Sequence, residues 1–164
     1  MSEISLKPIG YVRTRFSDEE VRKSWPEGVE AEIEVLPQYE DAMKGLDGFS
    51  HIVVIFYMHK VSEEDRATLL VKPRRLTRLG ISLDELPLVG VFALDSPVRP
   101  NPIGLTIARV LSISGRTIRV DGMDAYDGTP VLDIKPYTPD RAVMEIKLPE
   151  WYRSLWERIG RRPL

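Results

Sequence analysis

A chain of 164 residues, 43% hydrophobic and 29% charged, is long enough to close one hydrophobic core and too evenly mixed to be disordered or fibrous, so a single domain spanning 1–164 is expected. Lys and Arg number 23 against 25 Asp and Glu, and the resulting net charge of -2 excludes a protein that coats nucleic acid by bulk charge. The absence of cysteine removes disulfides, thiolate nucleophiles and cysteine-held zinc, and no window approaches the ~18 apolar residues of a membrane helix, so a cytoplasmic protein without a membrane partner is expected.

Thirteen prolines and eleven glycines interrupt helix-length windows, and the apolar segments between them are short and rich in Val and Ile. The first, Ile4 to Thr14, reads as a strand. Phe16 to Gly28 is polar, mixed in charge and stopped by Pro26 and Gly28, which predicts a long loop with room for a turn of helix. Val29 to Leu36 alternates at period two, with Val29, Ala31, Ile33 and Val35 facing in and Glu30, Glu32 and Glu34 facing water. A short helix is expected over Pro37 to Leu46, with Tyr39, Ala42, Met43 and Leu46 at helical spacing before Asp47-Gly48 turns the chain. Phe49 to Met58 is apolar on both faces and predicts a buried strand.

Ser62 to Asp65 reads as a helix start, and the basic stretch Lys72, Arg74, Arg75 and Arg78 as a solvated loop or an anion contact. Leu88 to Ala93, Gly104 to Ile113, Arg116 to Asp121 and Val131 to Ile134 complete the strands, with a hairpin turn at Ser114-Gly115. Pro149 to Ile159 places Trp151, Leu155 and Ile159 on one face of an amphipathic C-terminal helix. The fold class predicted is mainly β: a small closed or partly closed β-barrel with short peripheral helices.

Three segments can carry chemistry. Asp95 to Leu105 (DSPVRPNPIGL) holds prolines 97, 100 and 102, which fix backbone angles and remove amide donors, so it is a shaped loop presenting Arg99 and Asn101. It is equally a binding site or a structural corner in which Arg99 pairs with a carboxylate. Asp124 to Tyr137 contains a tight Asp127-Gly128 turn with exposed amides, followed by Thr129 and Pro130. His59-Lys60 follows a buried strand, where Lys60 can hold a carboxylate or phosphate. With only His51 and His59 in the chain, no metal site is expected. Neither G-x-G-x-x-G, G-x-x-x-x-G-K-[ST] nor G-x-S-x-G occurs, which argues against a Rossmann site, a P-loop and an α/β-hydrolase.

Taken together, LDGFSHIVVIFYMHK, GVFALDSPVRPNPIGL and DGTPVLDIKPY resemble the TsaA-like (YaeB) family of TrmO-type tRNA methyltransferases, from about Ile9 to Tyr137. The resemblance implies a β-barrel, S-adenosyl-L-methionine as cofactor, a homodimer, and methylation of N6 of threonylcarbamoyladenosine beside the anticodon in the tRNA anticodon arm. By the family pattern the cofactor pocket is lined by Val21, Arg22 and Lys23, then His59 and Lys60, then Asp95, Leu105, Asp127, Gly128, Thr129 and Pro130. Relatives usually carry Pro-Arg-Gln where this chain has Val-Arg-Lys, and Thr-Arg-Ser-Pro where it has Leu94-Asp95-Ser96-Pro97, so an acid replaces a guanidinium and reverses the local charge.

A sulfonium donor with an α-carboxylate and an adenine needs a cation-tolerant acceptor, a basic or amide-rich contact and an apolar slot, roles that Asp127, Lys60 with the turn amides, and Leu105 can fill. Asp127 is also the candidate catalytic proton acceptor. Arg99 and Asn101, the Lys72 to Arg78 stretch, and Arg153, Arg158, Arg161 and Arg162 are candidate RNA contacts, although for any one of the arginines alone solvation is the favoured reading. The alternative function is a non-catalytic sensor or adaptor that binds S-adenosylmethionine or another adenosine compound.

Overall fold

A computed structural model describes residues 3–160, and the two arginines at 161 and 162 lie outside them. The alternation over 29–35 buries Val29, Ala31, Ile33 and Val35 on one face, as the pattern requires, and the strand they form is one of six that close into a barrel. In chain order the strands are β1 (Gly10–Arg13), β2 (Val29–Val35), β3 (His51–Tyr57), β4 (Leu70–Val71), β5 (Val89–Gly90), β6 (Ile103–Ser114), β7 (Thr117–Met123) and β8 (Pro130–Pro136). The helices are α1 (Asp18–Ser24), α2 (Glu63–Ala67) and α3 (Glu150–Arg158).

The described residues divide into two compact units, the first running to Lys60 and resuming over Pro102–Pro139, the second holding Val61–Asn101 and continuing from Asp140. In the first, the order β1-β2-β7-β6-β3-β8 closes on itself with every pairing antiparallel. Closure leaves no open sheet edge. Val12, Ile33, Ile52, Val54, Phe56, Ile118, Val120 and Val131 fill the interior. Gly104 is required there by packing, because a Cβ at that position would lie 2.3 Å from the ring of Phe56.

β3 pairs with β6 on one side and β8 on the other, and of the expected burial on both faces its inner face is buried throughout, whereas on the outer face Val53 is buried and His51, Ile55 and Tyr57 are half-buried. The register Val53↔Ile107, Ile55↔Leu105 and Tyr57↔Ile103 sets these six side chains on the face opposite the buried Ile52, Val54 and Phe56. Tyr39 and Met43 of a 3₁₀ helix over Pro37–Met43, and Leu46 shortly after it, pack onto the core, while Ala42 is exposed. The β6–β7 hairpin turns at Gly115-Arg116, one residue later than expected, with Gly115 supplying φ of 55°.

Two expectations are overturned. Residues 16–28 are not mainly loop: α1 spans seven of them, started by Ser17, whose hydroxyl accepts from Glu20 N while the Glu20 carboxylate accepts from Ser17 N. Leu88 to Ala93 is not a buried strand of the barrel. Only Val89–Gly90 pairs, with β4 in the second unit, and the chain then coils into a 3₁₀ turn over Val91–Ala93 that leaves Phe92 exposed.

In that second unit, Ser62 caps α2, a 3₁₀ helix spans Arg74–Leu79, and Leu76, Ile81, Leu86, Val91 and Leu155 are buried. α3 buries Leu155 and sets Tyr152 edge-to-face with Trp151 and in a tilted contact with Trp156. No helix among the described residues is long and apolar enough to cross a membrane.

Candidate functional site

Strict up-and-down alternation around the barrel sends the ends of β1, β3 and β7 and the starts of β2, β6 and β8 to the same rim. Three stretches of the first unit therefore share that rim: 14–28 carrying α1, residues 58–60 just beyond β3, and 124–129. Met58 N donates to Pro102 O at 2.7 Å, which fixes the direction in which His59 and Lys60 leave the strand.

The 126–130 turn is built by backbone bonds. Thr129 N donates to Tyr126 O (3.1 Å), Gly128 N to Val12 O (2.8 Å), and Val12 N to Thr129 O (2.9 Å), so the turn is riveted to β1. Thr129 is buried and Asp127 is exposed. Asp127 Oδ1 accepts from Thr14 N at 3.0 Å, which fixes the carboxylate in position. Pro130 opens β8 opposite Tyr11, a position at which no amide is needed.

Lys60 joins the three segments. Its Nζ lies 2.5 Å from Asp18 Oδ2, at the first residue of α1, and 5.1 Å from the centre of the Tyr126 ring. Both members of the ion pair are roughly half exposed, with side-chain accessibilities of 47% and 40%. Beside it, His59 is held below the ordinary histidine pKa, first by partial desolvation and then by the Lys60 charge, with Asp18 pulling the other way. In α1, Val21 is buried, so the helix presents Arg22 and Lys23 outward, and Lys23 pairs with Glu19 at 2.5 Å.

Of the residues singled out by sequence, Val21, Arg22, Lys23, His59, Lys60 and Asp127 to Pro130 belong to this rim. Leu105 is on the outward face of β6, 63% exposed. Asp95, Arg99 and Asn101 lie in the second unit. There Arg99 Nη2 donates to the carbonyls of Val91 (2.8 Å) and Leu94, so its partners are backbone oxygens and no carboxylate is needed. Arg158 pairs with Glu85 at 2.6 Å, Arg153 with Glu150, and Lys72 Nζ donates to Leu83 O at 3.0 Å, leaving these three engaged within the unit.

Sequence reasoning missed Asp18, Thr14 and Tyr126. The Ser17-x-x-Glu20 spacing was the available signal for α1 and hence for Asp18 at its start. Nothing local announces that the Thr14 amide meets a residue more than a hundred positions away.

The rim of this six-stranded antiparallel barrel thus gathers an early helix, the turn after β3 and a riveted Asp-Gly-Thr-Pro bend, and the family whose model the chain matches is the tRNA-methyltransferase O N-terminal domain. Residues 12–142 match that family, and the chain belongs to it. A probable S-adenosyl-L-methionine-binding protein of Methanothermobacter thermautotrophicus is 40% identical over 141 residues, covering 84% of this chain and 93% of the relative. A tRNA (adenine(37)-N6)-methyltransferase of Mus musculus is 41% identical over 101 residues, covering 62% of this chain and 21% of the mouse protein. Among solved structures, TrmO from Pseudomonas aeruginosa matches with a TM-score of 0.65 and 28% identity over 89% of this chain, which spans 62% of that TrmO chain.

Proposed function

We propose that this protein is a cytoplasmic, homodimeric, S-adenosyl-L-methionine-dependent methyltransferase that modifies N6 of threonylcarbamoyladenosine next to the anticodon of a tRNA. The observation that carries the reading is the meeting at one rim of α1, His59-Lys60 and the Tyr126 to Pro130 bend, joined by the Lys60–Asp18 pair and the Lys60–Tyr126 contact. The donor set fits the cofactor through a half-exposed ammonium for its carboxylate and an aromatic face beside a cationic centre, whereas the Gly128 and Thr129 amides, expected to be exposed, are already bonded to Val12 O and Tyr126 O. When bound, the cofactor supplies a methyl carbon made electrophilic by its sulfonium.

The N6 lone pair of adenosine is delocalised into the purine, so the protein's work is alignment and late removal of the N6 proton. Asp127 suits that second role, being exposed yet held by the Thr14 amide. His59, disfavoured as a cation, limits positive charge around a cationic donor. Asp127→Asn is expected to slow transfer at least ~100-fold even at cofactor concentrations that calorimetry shows to be saturating for the variant.

The decisive test incubates the protein with methyl-labelled cofactor and tRNA carrying threonylcarbamoyladenosine. Label in that nucleoside supports the reading, and no transfer under conditions where the Pseudomonas TrmO works overturns it. Tight cofactor binding with no transfer to any tRNA would favour a sensor or adaptor, the reading that matches the name of the archaeal relative.

A further inference from the structure

We infer that Asp18 and Lys60 together form a receptor for the amino-acid end of the cofactor, Asp18 taking the α-ammonium and Lys60 the α-carboxylate. The inference rests on the cofactor reading above and adds Asp18, which the family pattern does not include. The amino-acid end is a zwitterion whose opposite charges stand on one carbon. Asp18 and Lys60 offer the complementary pair of charges 2.5 Å apart, each about half exposed and on a separate segment of the rim.

An exposed lysine–carboxylate pair is worth little by itself, because water solvates both groups nearly as well as they solvate each other. Opening such a pair around a zwitterion therefore sacrifices little and creates two charge-assisted contacts in its place. The geometry favours this use over a purely structural one. Lys60 is also set 5.1 Å from the Tyr126 ring, so it is held over the bend that carries Asp127. Asp18 sits in the first turn of α1, whose start is fixed by the Ser17–Glu20 capping box rather than by the Lys60 pair. Neither side chain is needed for the other's element to form.

The neighbouring charges do not supply a substitute. Lys23 is engaged with Glu19 in α1, Asp127 with the Thr14 amide, and His59 is disfavoured as a cation. Asp18 is thus the carboxylate paired with the ammonium that the cofactor reading assigns to the α-carboxylate.

Calorimetry with three probes tests this: S-adenosylmethionine, S-adenosylhomocysteine, and methylthioadenosine, which lacks the amino-acid end. The homocysteine compound has no net charge, so its response reads local pairing rather than the long-range field. Asp18→Asn should weaken both amino-acid-bearing probes by about tenfold or more and leave methylthioadenosine within about twofold. Asp18→Glu should recover part of the loss, because it restores the charge. Unchanged S-adenosylhomocysteine binding by Asp18→Asn, an equal loss for methylthioadenosine, or no recovery in Asp18→Glu overturns the inference while leaving the cofactor reading standing. A wild-type protein that binds none of the three overturns both.

Discussion

Charge on Lys60 and charge on His59 compete, since the two residues are adjacent in the turn after β3 and share the field of Asp18. His59 is pushed below its ordinary value first by desolvation and second by Lys60, against the pull of Asp18. The folded state therefore binds the His59 proton less readily than the unfolded chain. Stability contributed by the neutral imidazole is complete above about pH 6.5, the unfolded histidine value, and is lost as pH falls through the folded one. An NMR titration of the His59 ring should show a midpoint below that of free histidine. Lys60→Met should raise the midpoint and Asp18→Asn should lower it further, and movement in the opposite sense would refute the assignment of those charges. Sequence could place His59-Lys60 at a strand end, but which acid faces them depends on how the barrel closes, and local residue patterns carry no trace of that closure.

At the scale of elements, α1 shows how a charged, proline-stopped segment hides a helix. Seven residues from Asp18 to Ser24 contain one buried apolar side chain, Val21, so there is no apolar periodicity to read. Its formation rests on Ser17 and Glu20, each satisfying an amide of the other. Ser17→Ala should cost about 1 kcal/mol of helix stability, seen as faster hydrogen exchange at Glu20 and Val21 and weaker cofactor binding through loss of Asp18's position. Unchanged exchange at those amides would show that α1 is held by packing of Val21 alone.

The same capping bonds hold Glu20 below the usual glutamate range, the Ser17 amide contributing most and its hydroxyl next. The cap thus contributes stability above the ordinary glutamate pKa and loses it as pH falls through the folded value, so α1 should loosen in acid before the barrel does. β5 errs in the other direction. Leu88 to Ala93 has the composition of a core strand, yet Leu88 and Phe92 are exposed, because Gly90 leads straight into a 3₁₀ turn. Apolar content alone does not distinguish a strand from a turn that displays its side chains.

For the molecule as a whole, a small barrel, closed or partly closed, was legible because its strands are bounded by turn residues and either alternate, as half-exposed β2 does, or run apolar, as β3 does, whereas the strand order that closes it was not. What closure leaves over is informative. On the outward face of β6, Ile103, Leu105 and Ile107 stand 40%, 63% and 47% exposed in one row, opposite Tyr57, Ile55 and Val53 of β3. Isolated exposed apolar residues are ordinary, but three in one row along β6, beside the buried Val53 and the half-buried Ile55 and Tyr57 of β3, mark a surface suited to being covered. A second copy of this chain is the occupant consistent with the proposed homodimer, and it would place Leu105 at a subunit boundary. The wild-type protein should then sediment as a dimer at micromolar concentration. Leu105→Glu, which adds a charge at a position that is mostly solvent-exposed in one copy, should sediment as a monomer with an unchanged circular-dichroism spectrum. A monomeric wild type, or a Leu105→Glu protein that remains dimeric, would remove this face from the interface. Loss of cofactor affinity on monomerisation would go further, making the row on β6 part of the same site as the rim that holds Lys60.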